Sequence, residues 1–77
     1  MVQTDVKAIL SELKPGVDFE TECKLIDDGI LESLDIVSLI GALNDEFDIE
    51  ISVIDIVPEN FNSLSAICNL VERLLDE

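Results

Sequence analysis

The sequence predicts an all-α fold, a small bundle of three main helices plus one short helix, in a single domain spanning residues 1–77. Apolar residues recur at spacings of three and four in separate stretches, the mark of amphipathic helices. Pro15-Gly16 and Pro58 break the stretches apart. At 77 residues the chain has room for one core, and its 48% apolar share fills that core mainly with Leu, Ile and Val, since it has three Phe and no Trp or Tyr.

The first helix carries Val2, Val6, Ile9, Leu10 and Leu13 on one stripe and runs to about Lys14, with Thr4 or the residues just before it as its cap. Pro15-Gly16 ends it. From Val17 to Glu32 the pattern is irregular. Its scattered apolar residues, Phe19, Leu25, Ile26, Ile30 and Leu31, imply a long loop packed onto the domain, turned at Gly29.

A second helix begins at Ser33, a favoured N-cap type, and continues to Phe47 with Ile36, Ile40, Leu43 and Phe47 as its core stripe. Opposite lie Asp35, Ser38, Ala42, Asp45 and Glu46, a small acidic face with no basic residue on the helix to pair with them, and Leu34 sits at its edge. Gly41 in mid-helix costs about 1 kcal/mol relative to Ala. Close approach by a partner, or by a neighbouring backbone inside the bundle, would each account for it. The apolar piece Ile51 to Val57 fits one or two helical turns cut off by Pro58. Ser63 reads as the cap of a last helix through Leu64, Ile67, Cys68, Val71, Leu74 and Leu75.

Charge narrows the function. Eighteen acidic residues against four basic ones give a net charge of -14, and Lys7, Lys14, Lys24 and Arg73 leave residues 25 to 72 without a cation among eleven carboxylates. Nucleic acid and anionic membranes attract proteins through Lys and Arg, so both are excluded as partners, and basic protein patches are the complement. With no histidine and no C-x-x-C pair, a zinc site is excluded, and Asp27-Asp28-Gly29 lacks the alternating ligands of a calcium loop. Cys23 and Cys68 read as free thiols of a cytoplasmic protein, Cys68 at a core position. No basic-then-apolar leader and no membrane-spanning run is present in the sequence. A serine hydrolase would need a base and a G-x-S-x-G window, and neither is there, so the expectation is a non-catalytic monomer.

The segment Asp27-Asp28-Gly29-Ile30-Leu31-Glu32-Ser33-Leu34-Asp35 sets a serine at a helix start between carboxylates, followed by a leucine the core does not need. It resembles the acyl carrier protein family, in which the serine of an Asp-Ser-Leu signature receives 4′-phosphopantetheine from coenzyme A. Phe47-Asp48-Ile49-Glu50-Ile51 looks like that family's junction after helix two. Pro58-Glu59-Asn60-Phe61 with Ser63 and Ile67 looks like the approach to its last helix, especially in peptidyl and D-alanyl carriers. Two departures stand out: Glu32 precedes the serine where Asp is usual, and Ser38 stands where many relatives have a docking glutamate.

The resemblance implies a covalent phosphopantetheine on Ser33, attached by a phosphopantetheinyl transferase. It also implies a thioester-bound acyl or aminoacyl cargo passed between loading and transfer enzymes with basic patches. Asp28, Glu32, Asp35, Asp45 and Glu46 would steer those partners, and Leu34 and Val37 would anchor them. Independently of the resemblance, a phosphodiester at a helix start meets unpaired N–H groups and the positive end of the helix dipole. The alternative reading is an unmodified carrier-like bundle that binds basic partners non-covalently. Fatty-acid, polyketide, peptide-synthetase and D-alanylation cargoes all remain open, with the Pro58 to Phe61 segment leaning to the last two.

Overall fold

The computed structural model describes residues 2–76. Helix α1 spans Val2–Leu13, α2 Ser33–Phe47, a single 3-10 turn Val53–Asp55, α3 Pro58–Phe61 and α4 Leu64–Leu75. No strand is present among the described residues. This is the expected all-α bundle of three main helices and one short one. α1 packs against both α2 and α4, α3 packs on α4, and α2 meets α4 more lightly.

The core draws on every part of the chain. Val6 and Leu10 come from α1, Leu39 and Leu43 from α2, Phe61 from α3, and Leu64, Ile67, Leu70 and Val71 from α4. The α1–α2 connection contributes Phe19, Leu25 and Leu31, all buried, so this loop is part of the packing, as its scattered apolar residues imply. Each such side chain contributes roughly 1.5–3 kcal/mol by leaving water. Cys68 is buried and Cys23 exposed. Burial, with a smaller push from Glu72, raises the Cys68 thiol above its ordinary range and leaves it inert.

Three local expectations are corrected and a fourth is extended. Thr4 lies inside α1, and the position before Val2 lies outside the described residues. Ser33 is the first residue of α2, and Glu32, extended at φ -98 and ψ 175, is its N-cap. In α2 the fully buried residues are Leu39 and Leu43, with Ile36, Ile40 and Phe47 only partly buried around them. The buried stripe is therefore broader than the expected one, taking in Leu39 on one side of it. The piece from Ile51 to Val57 holds a single turn, within the one or two expected, but Pro58 does more than cut it off. The 3-10 turn ends before it, and Pro58 opens α3, where its missing N–H has no helical partner to lose.

Ser63 caps α4 as expected, its Oγ accepting from Ala66 N–H at 3.1 Å. α2 closes on Asp48, a non-glycine residue in the left-handed region (φ 53), whose N–H donates to the Asn44 carbonyl. Asn44 Oδ1 then accepts from Ile51 N–H at 3.1 Å and leads the chain away. The following 3-10 turn is tied to α4 by Arg73, whose guanidinium meets Asp55 Oδ1 at 3.0 Å. Val53 and Ile54 on that turn nonetheless face solvent.

Leu39 is fully buried on α2 and Ile36 only partly, so Leu39→Ala is expected to cost about 2–5 kcal/mol, enough to unfold much of so small a domain. Ile36→Ala should cost less. Urea midpoints read both, and equal losses at the two positions would contradict the stripe described here.

Candidate functional site

The site is the start of α2, and its position is set by the loop before it. Asn62, at the α3–α4 junction, holds that loop with both its side chain and its carbonyl. Its Oδ1 accepts from Ile26 N–H at 2.9 Å and from Asp27 N–H at 3.2 Å. Its Nδ2 donates to Asp27 Oδ2 at 3.3 Å, and its carbonyl accepts from Leu25 N–H at 2.8 Å. The chain then turns on itself, with Leu31 N–H donating to the Leu25 carbonyl at 2.9 Å. Gly29 supplies the positive φ, 74°, that the turn needs. Buried Leu25 and Leu31 pin the two ends of this turn in the core, so Glu32 and Ser33 emerge at a fixed place.

At Glu32 the helix begins, with the Glu32 carbonyl accepting from Ile36 N–H at 2.9 Å. Glu32 and Asp35 form a capping box, in which Asp35 Oδ2 accepts from Glu32 N–H at 3.0 Å. These two carboxylates do the capping and leave the Ser33 hydroxyl free of it. Ser33 is exposed, and Glu32, Ser33, Leu34 and Asp35 line one shallow open depression.

The site's electrostatics correct one expectation. The sequence leaves the acidic face of α2 unpaired, but Lys14 at the end of α1 reaches across to Asp35, Nζ to Oδ2 at 3.1 Å. The counter-charge that α2 lacks in its own sequence comes from another helix. The Asp35 carboxyl is held below the ordinary aspartate range, first by the Glu32 N–H bond and then by Lys14. Asp35 is accordingly half-buried, whereas Asp28, Glu32, Asp45 and Glu46 are all exposed.

Leu34 is 82% exposed and Val37 67%, so both stand out from the helix as apolar contacts. Gly41 follows on the next turn, also exposed. Apart from its chain neighbours and its own helix backbone, no heavy atom lies within 4 Å of where its Cβ would be, so a contact with a neighbouring backbone inside the bundle does not account for it. The structure thus gathers Glu32, Ser33, Leu34 and Asp35 at one spot, with Val37 a turn further on and Asp45 and Glu46 near the far end of α2.

Sequence reasoning missed Lys14 and Asn62. Lys14 had one signal, a cation at the C-terminal end of a helix, but nothing named its partner. Asn62 had none beyond being a polar residue before a cap.

The arrangement fits a phosphodiester on Ser33. The first-turn N–H groups of Ser33 and Leu34 have no intrahelical partner, and the hydroxyl opens to solvent beside them. Among the described residues no free base stands beside that hydroxyl, since the chain has no histidine and the neighbouring Glu32 and Asp35 carboxylates are engaged in capping.

Comparison with known proteins agrees with this geometry. The family described as "Phosphopantetheine attachment site" matches residues 6–71. The chain is 38% identical over 66 residues to "Aminoacyl carrier protein 1" of Bradyrhizobium diazoefficiens, covering 86% of this chain and 72% of the relative. No solved structure matches it significantly.

Two outcomes follow from these contacts. Asn62→Ala should speed hydrogen exchange at the Ile26 and Asp27 amides and cost about 0.5–1.5 kcal/mol through the lost hydrogen bonds. Amides in the middle of α1 should keep their relative order, and unchanged exchange at 26 and 27 would remove Asn62 from its role.

Because folding lowers the Asp35 pKa, its stabilising effect is fully present above the unfolded aspartate value, about 3.9. It is lost as pH falls through the lower folded value. The stability gap between wild type and Asp35→Asn should therefore hold near neutrality and close in acid. A gap that is the same at both ends of an acid-to-neutral denaturation series would contradict this.

Proposed function

The chain belongs to the phosphopantetheine attachment family of carrier proteins, and from that premise we propose that Ser33 is its attachment residue and that the bundle shuttles an acyl or aminoacyl thioester between partner enzymes. The observation that carries the reading is Ser33 itself: exposed at the first position of a long helix, relieved of capping by Glu32 and Asp35, and followed by exposed Leu34. Family members carry 4′-phosphopantetheine covalently, and the bound group supplies a terminal thiol on which cargo is held as a thioester.

The chain's own residues have three tasks. The free N–H groups of Ser33 and Leu34 take phosphate oxygens, and the helix dipole favours the anion there. Asp28, Glu32, Asp45 and Glu46 attract a basic partner, with Asp35 contributing less while Lys14 covers it. Leu34 and Val37 give that partner apolar surface to bury. Carriers of this family are generally non-catalytic, and the activating base at Ser33 belongs to a phosphopantetheinyl transferase.

Among cargoes, an aminoacyl group is favoured over a fatty acyl group by the similarity to a protein named as an aminoacyl carrier and by the Pro58 to Phe61 segment. Among the described residues no helix is long and apolar enough to cross a membrane.

Incubation with coenzyme A and a broad-specificity phosphopantetheinyl transferase should add one phosphopantetheine mass to the intact protein, more slowly as salt is added. Ser33→Ala should gain nothing. No gain with several transferases, or an undiminished gain in Ser33→Ala, would overturn the assignment.

A further inference from the structure

Asp35 lies two residues from Ser33 and lines the same depression, so an enzyme that reaches Ser33 brings its basic surface against this carboxylate. The carboxylate is already met. Lys14 Nζ sits 3.1 Å from Asp35 Oδ2, and the two side chains keep 31% and 20% of their surface exposed. The Lys14 backbone is fixed at the end of α1, its N–H donating to the Leu10 carbonyl at 2.9 Å. Its ammonium, by contrast, rides on a flexible four-carbon stem, and the pair is only partly buried, so solvent and an incoming cation can still reach it. Asp35 Oδ2 also accepts from Glu32 N–H at 3.0 Å, a bond within the helix start that does not run through the lysine.

We propose that Lys14 is a specificity-determining residue for docking at Ser33, a tethered cation that holds the place on Asp35 which a basic side chain of the docking enzyme takes over in the complex. The inference rests on the carrier reading above. Exchange of one cation for another keeps Asp35 neutralised as the surfaces close, so no bare carboxylate loses water at the interface. The tethered lysine also sets a threshold. An arginine that grips the carboxylate with two N–H groups displaces it readily, whereas a weakly basic surface does not. Lys14 thereby tunes which partners dock, and lowers the attraction of this one carboxylate for all the others.

The test measures the rate of phosphopantetheine mass gain on the full chain, with coenzyme A and a broad-specificity phosphopantetheinyl transferase at low salt. Lys14→Met should raise kcat/KM about three- to tenfold by lowering KM, with kcat unchanged. Lys7→Met is the control. It removes the same unit of charge and likewise frees a carboxylate, Glu20, with which Lys7 pairs at 3.3 Å, but away from α2. It should raise the rate by no more than about twofold.

The excess of Lys14→Met over Lys7→Met should vanish in the Asp35→Asn background, and Lys14→Arg should return the rate to wild type or below. Circular dichroism checks that each variant keeps its helices, and Lys14→Gln serves where Lys14→Met does not. Equal rises in the Lys14 and Lys7 variants, an excess that survives Asp35→Asn, or a fall in kcat would each overturn the proposal while leaving the carrier reading intact. Failure of the wild type to gain mass would overturn both.

Discussion

The connection between α1 and α2 has no helix of its own, yet it must deliver Ser33 to one place, and the constraint that achieves this is the grip of Asn62 on residues 25 to 27. Backbone N–H groups in a loop packed onto a core need partners, and two of these find theirs in a single side chain from the far end of the sequence. Burial of Leu25 and Leu31 supplies the driving force, but apolar contact alone does not fix orientation. Hydrogen bonds do. The start of α2 is thus referenced to the α3–α4 junction, and the short α3, buried through Phe61, earns its place as the mount for that junction.

Much of the architecture was legible because helices announce themselves through local pattern. Ser63 was readable as a cap, Gly29 as a turn, and the range Ser33 to Phe47 as a helix, each from residues within a few positions. The misreadings share a cause. Ser33 and Glu32 compete for one cap position, and the outcome depends on Asp35 folding back onto the Glu32 N–H, a matter of one residue in register. Leu39 was passed over because the apolar residues of α2 cover more than one stripe, and only the positions of α1 and α4 decide which is buried. Lys14 and Asn62 act across the whole loop and across the whole domain, distances over which no spacing rule operates. The family resemblance supplied Ser33 its meaning, and the residues that hold Ser33 in place came from the fold.

The start of α2 also shows a division of labour between charge and chemistry. Unpaired N–H groups favour an anion on Ser33, while the surrounding carboxylates oppose it, and the helix end and Lys14 lessen that opposition. Nothing here activates the hydroxyl. A helix start of this kind favours an anion without supplying a base to attach one.

Among the described residues three of the four Lys and Arg side chains are held in ion pairs, Lys7 with Glu20, Lys14 with Asp35 and Arg73 with Asp55, and the net charge remains -14. The folded chain therefore concentrates like charges that the unfolded chain keeps apart, and this self-repulsion works against compaction. A basic protein that docks on the folded form relieves it, and by linkage shifts the folding equilibrium toward the bundle. The lifetime of such a domain against proteases would then depend on its company as well as its sequence, longer with a bound basic protein than without one.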